Sequence, residues 1–410
     1  MFKTIAIVLA LAGSVNAAGF RQANQSASAN GMGTAFTAVA NDASAVWYNP
    51  AALTDLSGTN LSIGDVFVDP RTEHTSADGT TIDRPDNMVH SLPHVYATHK
   101  INNKFAVGLG VLVPYGLSTS WDDENSLTRK VATESSLKAL YSNLNIAYKV
   151  NDKLSVAAGA SFVKLDASMN KMVTVAGLQT VEQTLKGDGT AAGYNMAAMY
   201  KWNKWNFAAN YHSQVKVDID GTMQLPLTGI LAGNAVDDDN AKTEITLPDT
   251  FQLAAAYKHG DKWLFSAEAD YTDWTTYRQL DIAYTNASGV ASVSHDYKYW
   301  NSVWAFRVGT EYKVNDTWKL RAGSYYDNTP VQDNFFETRN ACSDRFGVSV
   351  GAGYPRGNLS VDVSYLYQKF LERRVQDSMQ DNGITGGTTV LNGKYNTTAR
   401  LPALTVNYKF

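Results

Sequence analysis

The 410-residue chain has one cysteine, ten prolines and, beyond its first twenty residues, no apolar run near the ~20 residues a membrane-spanning helix requires. Cys342 alone cannot close an internal disulfide. Mean hydropathy is -0.26, which argues against a helical transporter. Charge of either sign is modest: 35 Lys and Arg against 39 Asp and Glu give a net of -4, so there is no basic excess for a nucleic-acid partner. Signatures of catalysis are missing as well. His74, His90, His94, His99, His212, His259 and His295 show no HExxH spacing, and no GxSxG occurs. His90 and His94 flank Pro93 on one face of a strand, too far apart for easy chelation, and read as lumen or rim residues. No enzyme activity, metal or cofactor is expected.

What is present begins with a secretory signal. Residues 1–17 (MFKTIAIVLALAGSVNA) carry Lys3, an apolar stretch from Ile5 to Leu11, and Val15 and Ala17 at the -3 and -1 positions of a cleavage site. The protein is expected to leave the cytoplasm. Residues 18–53 then form a compact stretch rich in Ala, Ser, Gly and Asn.

Beyond it, period-two alternation dominates. In Leu359–Tyr367, the residues Leu359, Val361, Val363, Tyr365 and Tyr367 share one face, and Ser360, Asp362 and Ser364 the other. Leu404, Val406, Tyr408 and Phe410 alternate with Thr405, Asn407 and Lys409 in the same way. Tight Asn-, Asp- and Gly-containing turns (150–153, 201–204, 259–262, 314–317 and 355–358) join pairs of strands, because these residues tolerate positive φ. Longer polar connections (121–128, 224–242, 327–344 and 376–394) join the alternate pairs. Short turns at one end and long loops at the other describe an outer-membrane barrel.

The runs give about fourteen strands, starting near Thr59, His90, Lys104, Thr128, Lys153, Val181, Lys204, Lys242, Lys262, Val293, Thr317, Arg345, Asn358 and Val390. The fold class is therefore all-β: a transmembrane antiparallel barrel with residues 18–57 as a separate N-terminal unit and 58–410 as the barrel. A closed barrel also pairs every wall backbone group without any disulfide. Aromatics near strand ends, among them Trp202, Trp205, Trp263, Trp274, Tyr277, Trp300, Trp304, Trp318, Tyr325 and Tyr395, read as interfacial girdles. Tyr408 and terminal Phe410 resemble the assembly signal of outer-membrane barrels, which implies the barrel assembly machinery as a partner.

The ordered motifs of the mature chain resemble the FadL family of outer-membrane long-chain fatty acid transporters. Ala18-Gly19-Phe20, Gly31-Met-Gly33, Asn41-Asp42-Ala43 and Asn49-Pro50-Ala51-Ala52-Leu53 are similar to that family's N-terminal hatch. Val113-Pro114-Tyr115-Gly116-Leu117 resembles its third strand, Leu247-Pro248-Asp249 its eighth and Tyr271-Thr-Asp-Trp274 its ninth. Arg321-Ala-Gly323, Tyr326–Val331 and Asp344-Arg345-Phe346 are similar to the region around its strands eleven and twelve.

The resemblance implies a hatch inside the lumen, capture of hydrophobic molecules by external loops, and sideways exit through the wall at a kinked third strand. Pro114 cannot donate a ladder hydrogen bond and Gly116 tolerates strained backbone, so pairing should break there. Pro50 should end any helix begun by Ala43–Tyr48. Lys171 falls where the family presents a basic residue to its ligand, with Lys298 and Arg307 as further candidates. Val173–Val181 and Gln224–Ala235, read as long loops, offer Leu178, Leu225, Leu227, Ile230 and Leu231 as groove residues. Asp237-Asp238-Asp239 reads as a solvated loop or a contact for divalent ions or lipopolysaccharide. Long-chain fatty acids are the expected ligands. Aromatic hydrocarbons, as in the TodX-like branch, are the alternative. A general porin, with an inward-folded loop and no plug, and an outer-membrane lipase are more distant ones.

Overall fold

The computed structural model describes residues 19–381 and 390–410; the expected signal peptide and Ala18 lie outside them. Fourteen antiparallel strands close a barrel: β1 (Thr59–Ser76), β2 (His90–Lys100), β3 (Phe105–Ser120), β4 (Glu134–Lys149), β5 (Leu154–Val175), β6 (Gln179–Trp202), β7 (Trp205–His212 and Val215–Leu225), β8 (Val236–Leu247 and Thr250–His259), β9 (Trp263–Thr272 and Gln279–Thr285), β10 (Ala291–Tyr297 and Val303–Lys313), β11 (Lys319–Asp327), β12 (Arg345–Arg356), β13 (Leu359–Phe370) and β14 (Gly393–Lys409). β14 returns to β1 in a ladder from Asn60↔Lys409 to Ser76↔Gly393, so no edge is left at the seam. Ile82–Asp83 and Arg373–Val375 add short pairings beside β1 and β14.

Burial along the strands is the inverse of a soluble sheet. On β13, Val363, Tyr365 and Tyr367 are exposed, whereas Asp362, Ser364 and Gln368 are buried. Apolar residues outside and polar residues inside make sense only with lipid as the outer solvent. Trp202, Trp205, Trp263, Trp304 and Trp318 stand on that outer face. Trp274, Trp300, Tyr325 and Tyr395 do not; they are buried inside, because strand breaks or inward pleats turn them from the lipid.

Three boundaries differ from the expected ones. β4 begins at Glu134 rather than near Thr128. β8 begins at Val236, so Asp237–Asp239 lie in a strand, where Asp238 accepts the Thr285 N–H at 2.6 Å. Val173–Val181 is not a loop either: Val173 pairs with Val181, and only residues 176–178 turn the hairpin.

Residues 19–55 fill the lumen. They form α1 (Ala27–Gly31), α2 (Ala45–Tyr48) and a 3-10 helix (Pro50–Asp55). Pro50 does more than end α2: it opens the 3-10 helix, while extended Asn49 accepts the Ala51 N–H at 3.1 Å. Asn49 Nδ2 also donates to Thr37 and, across to the wall, to the Ala198 carbonyl at 3.3 Å. The close approach of segment and wall depends on paired glycines. Gly33 has φ +61°, and a Cβ on Gly323 would lie 2.1 Å from the Met32 carbonyl carbon. Gly31 ends α1 with no left-handed backbone.

Most charged side chains in the rest of the interior stand in matched sets; Glu268 instead accepts the Thr37 N–H at 2.9 Å. Arg321 donates to Glu311 at 2.8 Å and to Asp362 at 2.6 Å, all three nearly inaccessible. Removing one member of a buried set leaves the others uncompensated, at a cost of about 3–5 kcal/mol. An exposed pair such as Arg84–Glu73 contributes about 0–1 kcal/mol. Arg321→Leu is therefore expected to lower the urea-unfolding midpoint of the detergent-solubilised barrel markedly, whereas Arg84→Leu leaves it nearly unchanged. Equal shifts for the two variants would show that the interior ions do not stabilise the fold.

Candidate functional site

The site starts at the break in β3. Its ladder with β2 ends at the pair Val95↔Val111, leaving Leu112 onward without a β2 partner. On the other side the β3–β4 register slips between Leu112 and Tyr115, a one-residue bulge around Val113 and Pro114. Above the gap, Asp86 N–H to the Ser120 carbonyl, at 2.8 Å, closes the wall again. Gly116 has no left-handed backbone, so the break rests on Pro114 and the bulge rather than on strain at the glycine.

The N-terminal segment takes the place of β2 along this gap. Gln22 N–H donates to the Pro114 carbonyl at 2.7 Å, and Gly116 N–H donates to the Phe20 carbonyl at 2.8 Å. Arg21 and Tyr115 thus form an antiparallel bridge. Gln25 Nε2 satisfies the Val113 carbonyl at 2.9 Å, and Gln22 Nε2 reaches the Gly116 carbonyl at 3.3 Å.

Phe20 is the anchor of this segment. Its ring lies 4.6 Å from Trp274, 5.6 Å from Tyr277, 5.7 Å from Trp300 and 6.3 Å from Tyr115. Trp274 and Tyr277 come from the break in β9, Trp300 from the break in β10, and Tyr115 from the break in β3. The Tyr115 hydroxyl donates to Pro248 in the β8 break at 3.0 Å. Four strand interruptions therefore build one aromatic box. Gly19, at φ +63°, lies where a Cβ would strike Trp274 at 2.5 Å.

Above the box, three cavities follow one another. The outermost, of about 370 Å³, is lined by Lys171, Leu185, Met223, Tyr297 and Arg339 among others. A narrow apolar neck of about 40 Å³ at Gly187 and Gly221 shares Met169, Leu185 and Ile282 with it. The innermost, of about 60 Å³, shares Ala167, Met169 and Ile219 with the neck and is bounded by Phe20.

A charge cluster borders the outer cavity. Lys298, fully buried in the β10 break, bonds Asp296 at 2.9 Å and Glu337; Arg339 bonds Glu337, Asp296 and the Val131 carbonyl. Among the described residues Lys171 makes no ion pair, so three cations face two carboxylates. The exposed Lys164 and Asp166 already mark the end of the lipid-facing band on β5, and Lys171 lies beyond them. Burial first, and then the Arg339 charge, push its pKa down to about 8. Burial opposes the charge on Lys298, but Asp296 and Glu337 outweigh it and hold its pKa above the usual lysine range.

Lys171 and Lys298 are thus brought together, whereas Arg307 is not. It lies deeper, donating to Asp270 at 2.8 Å. Leu225, Leu227 and Leu231 are buried with Met223 and Ile282 in a packed external cluster rather than an open groove. Leu178 and Ile230 remain exposed at the hairpin tips. Tyr408 and Phe410 stand outward, 4.8 Å apart, at the seam. Of the expected hatch residues, Gly31, Gly33, Asn49, Pro50 and Ala51 are all buried in the lumen. Arg339, Glu337 and Asp296 were not legible as site residues; the only signal was the length of the loop carrying the first two. That loop folds inward, burying Phe336 and Thr338, so an inward loop does not by itself distinguish this barrel from a general porin.

A lipid-facing barrel whose lumen is filled and whose loops enclose an apolar passage defines an outer-membrane transport protein. The chain belongs to the family described as outer membrane protein transport protein (OMPP1/FadL/TodX), whose profile matches residues 8–410. It is 28% identical to a "47 kDa outer membrane protein" of Pasteurella multocida (strain Pm70), over 98% of this chain and 96% of that one. It is 26% identical to a "Long-chain fatty acid transport protein" of Escherichia coli (strain K12), over 83% and 85%. In fold it is similar to a Pseudomonas aeruginosa FadL homologue (TM-score 0.82, 20% identity, 96% and 100% covered) and to the Ralstonia pickettii toluene transporter TbuX (0.71, 15%, 94% and 98%). The protein is an outer-membrane transporter for hydrophobic compounds and not an enzyme.

The depressed pKa of Lys171 has a direct chemical readout. Brief acetic anhydride labelling across pH 6–10, followed by mass spectrometry, is expected to show Lys171 modification rising with a midpoint near 8. Exposed lysines should still be rising at pH 10. A midpoint above 10 would mean that Lys171 is well solvated and not in the cluster.

Proposed function

We propose that this transporter takes up long-chain fatty acids, and that residues 18–57 act as a hatch that redirects ligand through the wall beside β3. The observation that carries the reading is the cover on the β3 gap: Phe20–Gln22 supply the hydrogen bonds that β2 does not, and Phe20 occupies the end of the cavity chain. An acyl chain entering the inner cavity competes with Phe20 for the same apolar surface. Burying a Phe is worth about 1.5–3 kcal/mol, which a chain of a few buried methylenes at ~0.8 kcal/mol each matches. Displacing Phe20 is therefore close to isoenergetic. It also withdraws the partner strand from Pro114 and Gly116, opening the wall. The lipid phase then receives the ligand.

The choice of fatty acid over aromatic hydrocarbon rests on the excess cation at the outer cavity. An uncharged hydrocarbon has no use for Lys171, whereas a carboxylate pairs with it. Loss of one charge-assisted contact of about 1.5–3 kcal/mol raises Kd about tenfold or more. Lys171→Ala should weaken oleate binding by that factor in a fluorescence titration and leave toluene binding unchanged. Unchanged oleate binding would remove the ground for preferring the acid, and equal loss of both ligands would mean that Lys171 supports the site's packing rather than pairing with a carboxylate. Deleting residues 18–57 should give a barrel that conducts ions in planar bilayers far better than the wild type; equal conductance would end the hatch reading.

A further inference from the structure

The cover strand carries a charge that neither the cavity chain nor the wall gap needs. Arg21 lies between Phe20 and Gln22, buried, and its backbone bridges Tyr115 at the kink. Its guanidinium holds on loosely: Nη1 lies 3.4 Å from Asp270 Oδ2 and 3.5 Å from the Thr272 hydroxyl. The same Asp270 oxygen is already bound by Arg307 Nε at 2.8 Å. Arg307 in turn stands over the Tyr325 ring, and Arg345 beside it is paired with Asp327. Asp270 therefore keeps a close cation when Arg21 leaves, and Glu268, the buried carboxylate beside it, makes no ion pair among the described residues and accepts the Thr37 N–H at 2.9 Å with or without Arg21. Arg21 itself, once detached, is a cation without a partner at the mouth of the opening.

A second cation stands on the other side of the wall. Gly116 pairs with Lys138 on β4. Leu137 and Ala139 are buried in the lumen, so strand alternation puts Lys138 on the outer face. Among the described residues Lys138 makes no ion pair, and Leu144 and Ile146 further along β4 are exposed to lipid on the same face.

We infer that Arg21 and Lys138 form a two-cation relay that conducts the carboxylate of an amphiphilic ligand through the β3 opening. Arg21 exchanges Asp270 for the ligand's carboxylate as the cover strand peels away, and Lys138 receives that headgroup at the outer face. An apolar chain crosses the gap without help, but an unpaired carboxylate there must give up its hydration with nothing to replace it. The relay would make exit, and not only capture, selective for acids. This rests on the fatty-acid reading above.

The test compares oleate with methyl oleate, which has the same chain without the charge. Uptake of each would be measured in cells expressing the full-length protein, with oleate binding measured separately on the purified barrel. Arg21→Gln and Lys138→Gln should each slow oleate uptake at least threefold, leave methyl oleate uptake unchanged and shift oleate Kd by less than twofold. Arg21→Lys and Lys138→Arg should retain most of the rate. Equal slowing of acid and ester would mean that the residues only support the fold and would overturn the relay, as would unchanged oleate uptake in both Gln variants. A wild-type protein that carries no oleate would remove the fatty-acid reading and the relay with it.

Discussion

The structure depends on one constraint: a backbone hydrogen-bonding group facing lipid must find a partner within the protein. Most strand-to-strand seams meet it with long ladders, some of them bulged, while the outer halves of β8 and β9 meet at the pair Lys242↔Ala283. Between β2 and β3 the ladder stops at Val111, and the N-terminal segment supplies what is missing. That makes the segment part of the wall as well as part of the filling. Any event that moves Phe20 changes the wall, because the residue that fills the cavity and the residues that complete the ladder are neighbours in sequence.

The same economy governs the interior charges. Polar side chains face inward because the lipid face cannot hold them, and once inside they must be matched. Arg321 with Glu311 and Asp362, Arg345 with Asp327, and Arg307 with Asp270 are such sets. Where the match is loose, as at Arg21, or leaves a cation over, as at Lys171, the imbalance lies on the proposed path from the outer cavity to the β3 gap. The cations proposed to meet ligand are those without a close ion-pair partner.

The passage is built from irregularities. Regular strands give a smooth polar lumen; the breaks in β3, β8, β9 and β10 turn Tyr115, Trp274, Tyr277 and Trp300 inward to form the box around Phe20. The loop between β11 and β12 supplies Arg339 and Glu337 by folding into the mouth. Pocket and wall gap therefore share elements, and in the proposed mechanism this couples occupancy of one to the state of the other.

The alternation of apolar and polar residues, the tight Asn and Asp turns and the long opposing loops were sufficient for the barrel, its strand number and its membrane. Side-chain period two is a local property that survives in one dimension. The kink was also legible, since Pro114 removes a donor wherever it stands. What only the tertiary structure decided is which residues meet. Trp274 and Trp300 look like girdle aromatics until strand breaks turn them inward. Leu225, Leu227 and Leu231 look like an open groove until neighbouring hairpins cover them. Lys171 and Lys298 are 127 positions apart in the numbering, and Arg339 joins them only because a loop folds back. Arg307 shows the reverse: a cation on the expected strand, but at a depth set by register. Spacing along a strand fixes the face on which a side chain stands; closure of the barrel and the path of its loops fix what it faces.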